Sequence, residues 1–263
     1  MSAPPANRAC LDVSTIEDGT VLRLVMSRPK ANILDTEMLT ALESALRAHH
    51  DDRSLRMVLL RGAGGNFSFG ASVEEHRRAQ VGPMLARFHS VARLMASYPV
   101  PITCAVEGRC LGGAFELVLC AHFVFATVDA VFACPEIKLG VFPPVLAAIG
   151  GERMPGAIAE RLLLTGEEID ASVAATFGLV TSVVPKGGDV ELATLEWYRR
   201  TLRPRSALSL RVATSVARTR TLAALERLPA IERRYLNDLV PSHDGNEGIE
   251  AFLARREPQW RDA

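Results

Sequence analysis

The chain has 263 residues, 48% of them hydrophobic, and its 30 basic and 30 acidic residues give a formal net charge of zero. This length and composition allow one large hydrophobic core, alone or with an appended region. The balanced charge argues against nucleic acid or an anionic membrane as the main partner. No apolar stretch is long enough to cross a bilayer, and Met1 to Arg8 lacks the apolar segment of a signal peptide, so a cytoplasmic location is expected.

Strands and helices are predicted to alternate along the first 188 residues. Asp18-Gly19 predicts a hairpin turn, and Asp35 is expected to cap the first helix. The strands are predicted over 11–16, 20–26, 55–60, 102–106 and 179–184. The helices are predicted after Asp35 and over 73–78, 83–97, 114–120, 156–164 and 171–177. This alternation indicates an α/β fold with helices packed against sheets.

The composition changes near Gly187-Gly188, and the remaining chain is predicted to be almost entirely helical. We therefore divide the chain into a tail over 1–9, a core domain over 10–188 and a C-terminal helical region over 189–263.

Five cysteines are scattered along the chain and lie mostly in apolar runs, namely Cys10, Cys104, Cys110, Cys120 and Cys134. Their number is odd, no Cys-x-x-Cys pair occurs, and the six histidines lack metal-ligand spacing. We expect reduced, buried cysteines, and neither a disulfide framework nor a metal site.

The stretch from Cys104 to Glu136 carries the main functional signal. A predicted strand passes through glycines into a helix, so the first N–H groups of that helix, near Gly113, have no partner within it. The positive end of the helix dipole there favours an anion or a developing oxyanion. Glu116 lies in the first helical turn, and Glu136 follows in an otherwise uncharged run. Ala71 follows Gly70 in a second glycine-rich loop and is expected to offer another exposed amide at the start of the helix predicted over 73–78.

These groups suit chemistry through an enolate. The N–H groups of Ala71 and Gly113 would hold a carbonyl oxygen that becomes negative, and Glu116 and Glu136 would move protons. Burying a carboxylate in an apolar segment is energetically unfavourable, so its presence there suggests a role in chemistry. From the residues alone, catalysis and simple helix capping explain this pattern equally well, and the spacing does not show that the two amide sites meet.

Three segments, over 66–71, 107–116 and 134–140, resemble the signature segments of the enoyl-CoA hydratase/isomerase (crotonase) superfamily, and the likeness extends from Leu11 to Trp260. It implies a spiral core of strand–strand–helix units and a C-terminal helical region that assembles a homotrimer or a dimer of trimers. The family's oxyanion hole matches Ala71 and Gly113, and its acid–base glutamates match Glu116 and Glu136.

The resemblance also extends to ligand contacts. The loop from Arg28 to Asn32 is similar to the loop that contacts coenzyme A, so Lys30, Ala31 and Phe69 are expected near this part of the substrate. An acyl-CoA thioester is the implied partner, and no cofactor beyond the coenzyme A of the substrate is expected.

Within the superfamily, segments 67–76 and 135–142 look most like cyclohexa-1,5-diene-1-carbonyl-CoA hydratases, which add water to a cyclic dienoyl thioester. Pro143-Pro144-Val145-Leu146 replaces the glycine-rich run of many hydratases, and Ser72 stands where many have Asp. Phe142 and Pro144 are therefore expected to form a rigid acyl pocket that favours a compact ring. His76 is a candidate for the lining of that pocket, but a surface position on a charged helix is the preferred interpretation.

Three alternatives stay open. The first is a hydratase or isomerase of linear enoyl-CoA. The second is an RNA-binding protein on the same fold, for which the arginine-containing segment over 203–220 is the candidate surface. The third is a non-catalytic scaffold, against which the presence of both glutamates argues.

Overall fold

The computed structural model describes residues 9–28 and 31–263. Its strands are β1 (Leu11–Ile16), β2 (Val21–Met26), β3 (Met57–Gly62), β4 (Ile102–Val106), β5 (Arg109–Leu111), β6 (Phe123–Thr127), β7 (Val131–Ala133), β8 (Glu168–Asp170) and β9 (Ser182–Val184). Its helices are α1 (Thr36–Ala48), α2 (Val81–Ala96), α3 (Gly113–Cys120), α4 (Pro144–Arg153), α5 (Gly156–Thr165), α6 (Ala171–Thr176), α7 (Val190–Thr201), α8 (Ala207–Ala217), α9 (Thr219–Leu225), α10 (Leu228–Arg234) and α11 (Asp244–Ala254).

The strands form a large and a small sheet. The large sheet has the order β1-β2-β3-β4-β6-β9, and the small one has the order β5-β7-β8. In the large sheet β1 and β2 form the expected antiparallel hairpin, and every later neighbour pairs in parallel. In the small sheet β5 and β7 are parallel, whereas β7 and β8 are antiparallel. Because parallel neighbours need long connections, helices link most of them.

A strand–strand–helix unit repeats along the chain. β4, β5 and α3 form one unit, and β6, β7 and α4 form the next. In each unit the first strand joins the large sheet and the second joins the small one. An earlier unit contains β3, an isolated bridge between Ser68 and Cys110, and α2. This arrangement confirms the predicted α/β fold, although the repeat has no readable sequence signature.

Helices cover both faces of the large sheet, which explains why its parallel strands are apolar on both sides. Along β3, Val58 and Leu60 face the main core, whereas Met57 and Leu59 face a second core that includes α7. This alternation is the two-residue period of a strand. All five cysteines are buried and free, as expected.

The C-terminal region is helical, as predicted, but it shares the main core. α9 and α10 pack against α4, and Leu225, Leu228 and Tyr235 belong to the main hydrophobic cluster. The boundary at 187–188 and the subunit-assembly role of this region stay predictions. Of the predicted tail, residues 1–8 lie outside the described part of the chain, and Ala9 is exposed. Among residues 9–28 and 31–263, no helix has the length and apolarity that crossing a membrane requires.

Two local predictions differ from the structure. The charged helix expected over 73–78 is only a 3₁₀ turn over Glu74–His76. Conversely, α4 is not predicted from the sequence, because Pro143 and Pro144 suggest an irregular segment. Proline is nevertheless favourable in the first helical turn, where its missing N–H would have had no partner. α4 therefore starts at Pro144 itself.

Candidate active site

The two amide sites predicted from the sequence lie side by side. The loop that leads to Ala71 runs along β5, since the Ser68 N–H donates to the Arg109 carbonyl at 3.0 Å and the Leu111 N–H donates to the Ser68 carbonyl at 3.0 Å. A methyl group on Gly113 would lie 3.5 Å from the Ala71 Cβ. The separate glycine-rich loops therefore converge on one point.

The N–H groups of Ala71 and Gly113 are available to a ligand. Neither donates a hydrogen bond to another described residue. Gly113 is the first residue of α3, and Gly112 before it has φ 54° and ψ −130°, a conformation that needs glycine. Ala71 does not begin a helix as expected, because it forms an isolated parallel bridge with Leu34 just before the 3₁₀ turn.

Glu116 is buried on α3, with 3% of its surface exposed. Its Oε1 accepts hydrogen bonds from the N–H groups of Val145 at 2.6 Å and Leu146 at 3.0 Å. These are the first free amides of α4, since Pro144 has no N–H. Burial raises the pKa of Glu116 to about 7, although the two amide hydrogen bonds act in the opposite direction.

Glu136 lies on a 3₁₀ turn, Pro135–Leu139, directly after β7. Its carboxyl group lies against Gly112, where a methyl group on the glycine would be 2.8 Å from Oε1. Its Oε2 is buried and has no hydrogen-bond partner among the described residues. Burial and the charge of Glu116 raise the pKa of Glu136 well above its ordinary value. Glu136 therefore keeps its proton more readily than Glu116, whose anion receives two N–H groups.

One small cavity brings the predicted catalytic and acyl-pocket residues together. Its volume is about 20 Å³, enough for about one water molecule. The predicted residues that line it are Ala71, Gly113, Glu116, Glu136, Phe142 and Pro144. A larger surface cavity of about 650 Å³, near Cys10 and Thr36, contains neither glutamate.

Two further polar residues, His76 and Tyr235, line this cavity, and Tyr235 was not placed there from the sequence. Of the two interpretations of His76, the structure supports the pocket position and not the preferred surface position, since His76 lines the cavity. Its Nδ1 donates to the Ser72 carbonyl at 2.8 Å, and burial lowers its pKa. Tyr235 reaches the cavity from a π-helical turn, Tyr235–Leu239, between α10 and α11. No local pattern indicates this contact, because Tyr235 follows Glu116 by 119 residues and Glu136 by 99 residues.

The segments expected to contact coenzyme A lie beside the Ala71 loop. The Phe69 N–H donates to the Ala31 carbonyl at 2.9 Å, and the Phe69 ring is 42% exposed. Lys30 lies outside the described residues. The buried Asn32 side chain donates to the carbonyls of Ala63 at 2.9 Å and Asn66 at 3.0 Å. Asn32 thereby fixes one loop against the other.

Two arginines lie at the far ends of the helices that reach the site. Arg153 is the last residue of α4 and donates to the Ala121 carbonyl at 3.0 Å. Arg218 is buried and donates at 3.1 Å to the carbonyl of Cys120, the last residue of α3. Cations at a helix C-terminus complement its partial negative charge.

Known proteins share this chain's sequence and fold over nearly its whole length. The sequence model of the enoyl-CoA hydratase/isomerase family matches residues 17–263. The cyclohexa-1,5-dienecarbonyl-CoA hydratase of Thauera aromatica is 41% identical over 93% of this chain and 94% of its own length. The 2,3-dehydroadipyl-CoA hydratase of Escherichia coli (strain K12) is 34% identical over 92% of this chain and 95% of its own length.

A solved structure also resembles this chain over nearly its whole length. The crystal structure of an enoyl-CoA hydratase from Mycobacterium avium subsp. paratuberculosis K-10 superposes with a TM-score of 0.84 at 27% identity, covering 97% of this chain and 99% of the other. Since the family match spans residues 17–263 and two relatives exceed 30% identity over more than nine-tenths of the chain, the chain belongs to the enoyl-CoA hydratase/isomerase family, the crotonase superfamily.

Proposed function

We propose that this protein is a hydratase, a carbon–oxygen lyase that adds water to an α,β-unsaturated acyl-CoA thioester. One observation carries the proposal. Two carboxyl groups with different pKa values line the same cavity as two residues whose backbone N–H groups have no partner among the described residues. The relatives named above are hydratases of acyl-CoA thioesters. The substrate within this class is proposed to be cyclohexa-1,5-diene-1-carbonyl-CoA.

The mechanism follows from the unequal environments of the carboxyl groups. The thioester oxygen accepts hydrogen bonds from Ala71 and Gly113 and becomes negative as water adds to the conjugated system. Glu116, whose anion is held by two amides of α4, accepts a proton from the attacking water. Glu136, which retains its proton, donates it to a carbon of the enolate. These steps need only proton transfers and an oxyanion hole, so we propose that no cofactor acts beyond the coenzyme A of the substrate.

Two observations support a cyclic acyl group. The relative with 41% identity is named for a cyclic dienoyl thioester. In addition, Phe142 and Pro144 contribute apolar surface to the cavity that both glutamates line. The cavity of about 20 Å³ is smaller than a six-membered ring, so side chains of its wall must move when the acyl group enters, as interface side chains commonly do on binding.

Coenzyme A itself is proposed to lie along the loops that carry Lys30, Ala31 and Phe69. The exposed Phe69 ring supports this placement, because it offers apolar surface beside the Ala71 amide. Homo-oligomer formation also has support on the surface of α8. There Leu208, Val212 and Val216 follow each other at four-residue intervals and are 73%, 57% and 68% exposed, an apolar stripe suited to a subunit contact. The cytoplasmic location stays a prediction.

The alternatives differ in their support. A linear substrate is the second candidate, favoured by the 34% identity to a 2,3-dehydroadipyl-CoA hydratase. RNA binding is less well supported, because arginines of the segment over 203–220 are engaged within the chain. Arg203 pairs with Glu17 and Asp18, and Arg220 pairs with Glu152. These arginines do not offer the free basic stripe that nucleic acid requires.

A panel of cyclic and linear unsaturated acyl-CoA thioesters tests the proposal. Mass spectrometry of each reaction should show a gain of one water with the wild-type protein. The highest kcat/KM is expected for the cyclic dienoyl thioester. If isomerisation without water gain is the only reaction observed, the hydratase proposal is wrong. A gel shift with single-stranded RNA, repeated at rising salt concentration, tests the RNA-binding alternative.

A further inference from the structure

The chain contains three tyrosines, and the hydroxyl of Tyr235 differs from the other two. All three side chains are buried. The Tyr98 hydroxyl donates to the Leu46 carbonyl at 3.0 Å, and the Tyr198 hydroxyl lies 2.6 Å from the Thr20 hydroxyl. The Tyr235 hydroxyl has no partner among the described residues. A buried hydroxyl without a hydrogen bond is unfavourable, so its retention needs a reason.

The position of Tyr235 supplies that reason. Its ring packs edge-on against Phe142, with ring centroids 5.4 Å apart, and it lines the same cavity as Glu116 and Glu136. The residue begins a π-helical turn, marked by the hydrogen bond from the Val240 N–H to the Tyr235 carbonyl at 3.1 Å. Such turns are rare in helices and frequently occur at functional sites.

A second residue of the cavity wall, Glu136, also carries an orphan atom. Glu136 Oε2 is also buried and also lacks a partner among the described residues. The space between the walls is enough for about one water molecule, and a water needs two or more polar partners to be held there. A water in this space lies among the side chains of Tyr235, Glu136 and Glu116, and two of these side chains carry a polar atom that needs a partner.

We propose that Tyr235 is a positioning residue that holds, by a hydrogen bond from its hydroxyl group, the water that adds to the thioester. The inference rests on the proposed hydratase function and adds a third polar group to the two glutamates. The phenol acts through this hydrogen bond and not through proton transfer. Burial, followed by the charges of Glu136 and Glu116, raises its pKa, so it stays protonated.

Tyr235→Phe tests the inference, since it removes only the hydroxyl. We expect kcat for hydration to fall about 10- to 100-fold, the effect of losing one hydrogen bond to a reacting group, with KM almost unchanged. Tyr98→Phe is the matched control. It removes a buried hydroxyl that is hydrogen-bonded far from the site, so it should lower stability and leave kcat unchanged.

A second readout separates water positioning from general damage. In D₂O, exchange of the α-proton of cyclohexanecarbonyl-CoA uses the oxyanion hole and a glutamate but adds no water. Tyr235→Phe should therefore keep the wild-type exchange rate while hydration falls. Equal loss of both reactions, or hydration within twofold of the wild type, overturns the inference and leaves the hydratase proposal intact. If the wild-type protein hydrates no thioester, the proposed function fails, and this inference fails with it.

Discussion

Replacing Glu116 with glutamine is expected to stabilise the folded protein at pH 8 while it abolishes most activity. Burial raises the pKa of Glu116 to about 7, from an ordinary value of 4.5. A carboxyl group whose pKa is higher in the folded state makes its full contribution to stability below pH 4.5. This contribution is lost as the pH rises through about 7. At pH 8 the wild-type protein therefore buries an unfavourable charge, and the glutamine variant does not.

The size of the effect follows from the difference between the two pKa values. A rise of about 2.5 pH units, at about 1.36 kcal/mol per unit, corresponds to about 3 kcal/mol in the free energy of unfolding. For a chain of this size, about 1 kcal/mol shifts Tm by roughly 2–4 °C, so the variant should melt roughly 6–12 °C above the wild type at pH 8. The glutamine carbonyl still accepts the hydrogen bonds of Val145 and Leu146, so little packing is lost.

Denaturant unfolding of both proteins at pH 5 and pH 8 measures this difference. Glu191→Gln is the matched control of opposite sign. Burial would raise the pKa of Glu191, but hydrogen bonds and charge from Arg23 and Arg61 lower it, so this variant should lose stability at pH 8. The reasoning is refuted if Glu116→Gln is no more stable relative to the wild type at pH 8 than it is at pH 5.

Three further predictions concern turnover. Glu136→Gln should lower the hydration rate by about 10²–10⁴-fold while calorimetry shows unchanged thioester binding, and near wild-type turnover would make the residue structural. Ala71→Pro removes an N–H and should lower kcat by about 10²–10³-fold with an unchanged circular dichroism spectrum; a folded, fully active variant would rule this donor out. The wall of Phe142 and Pro144 should give the cyclic dienoyl thioester a higher kcat/KM than crotonyl-CoA, and an equal or higher value for crotonyl-CoA would contradict the cyclic pocket.

The parts of the site that follow from local sequence were predictable. A strand, a pair of glycines and an apolar helix in succession predict free amides at Gly113, and α3 begins at that residue. The isolation of Glu116 and Glu136 in apolar segments pointed to buried carboxyl groups. Both now border one cavity. The roles of these residues stay predictions until the variants above are measured.

The parts that depend on distant contacts were not predictable. α4 was missed because two adjacent prolines are compatible both with an irregular segment and with a helix start. Only its packing against α3, α5, α9 and α10 resolves the choice. Tyr235 was missed, and a surface position was preferred for His76, because helical periodicity indicates which face of a helix is apolar but not which cavity that face meets. Tertiary contacts bring both side chains to the glutamates.

No lysine or arginine is among the described residues that line the cavity shared by Glu116 and Glu136. The positive potential in this cavity comes instead from the N-termini of α3 and α4. Arg153 and Arg218 lie at the C-terminal ends of these helices, about 12–15 Å away along the helix axes. A basic side chain inside the cavity would pair with a carboxylate and lower its pKa. Oriented amides stabilise negative charge without binding a proton themselves. Because these donors belong to the backbone, a side-chain substitution other than proline leaves them in place.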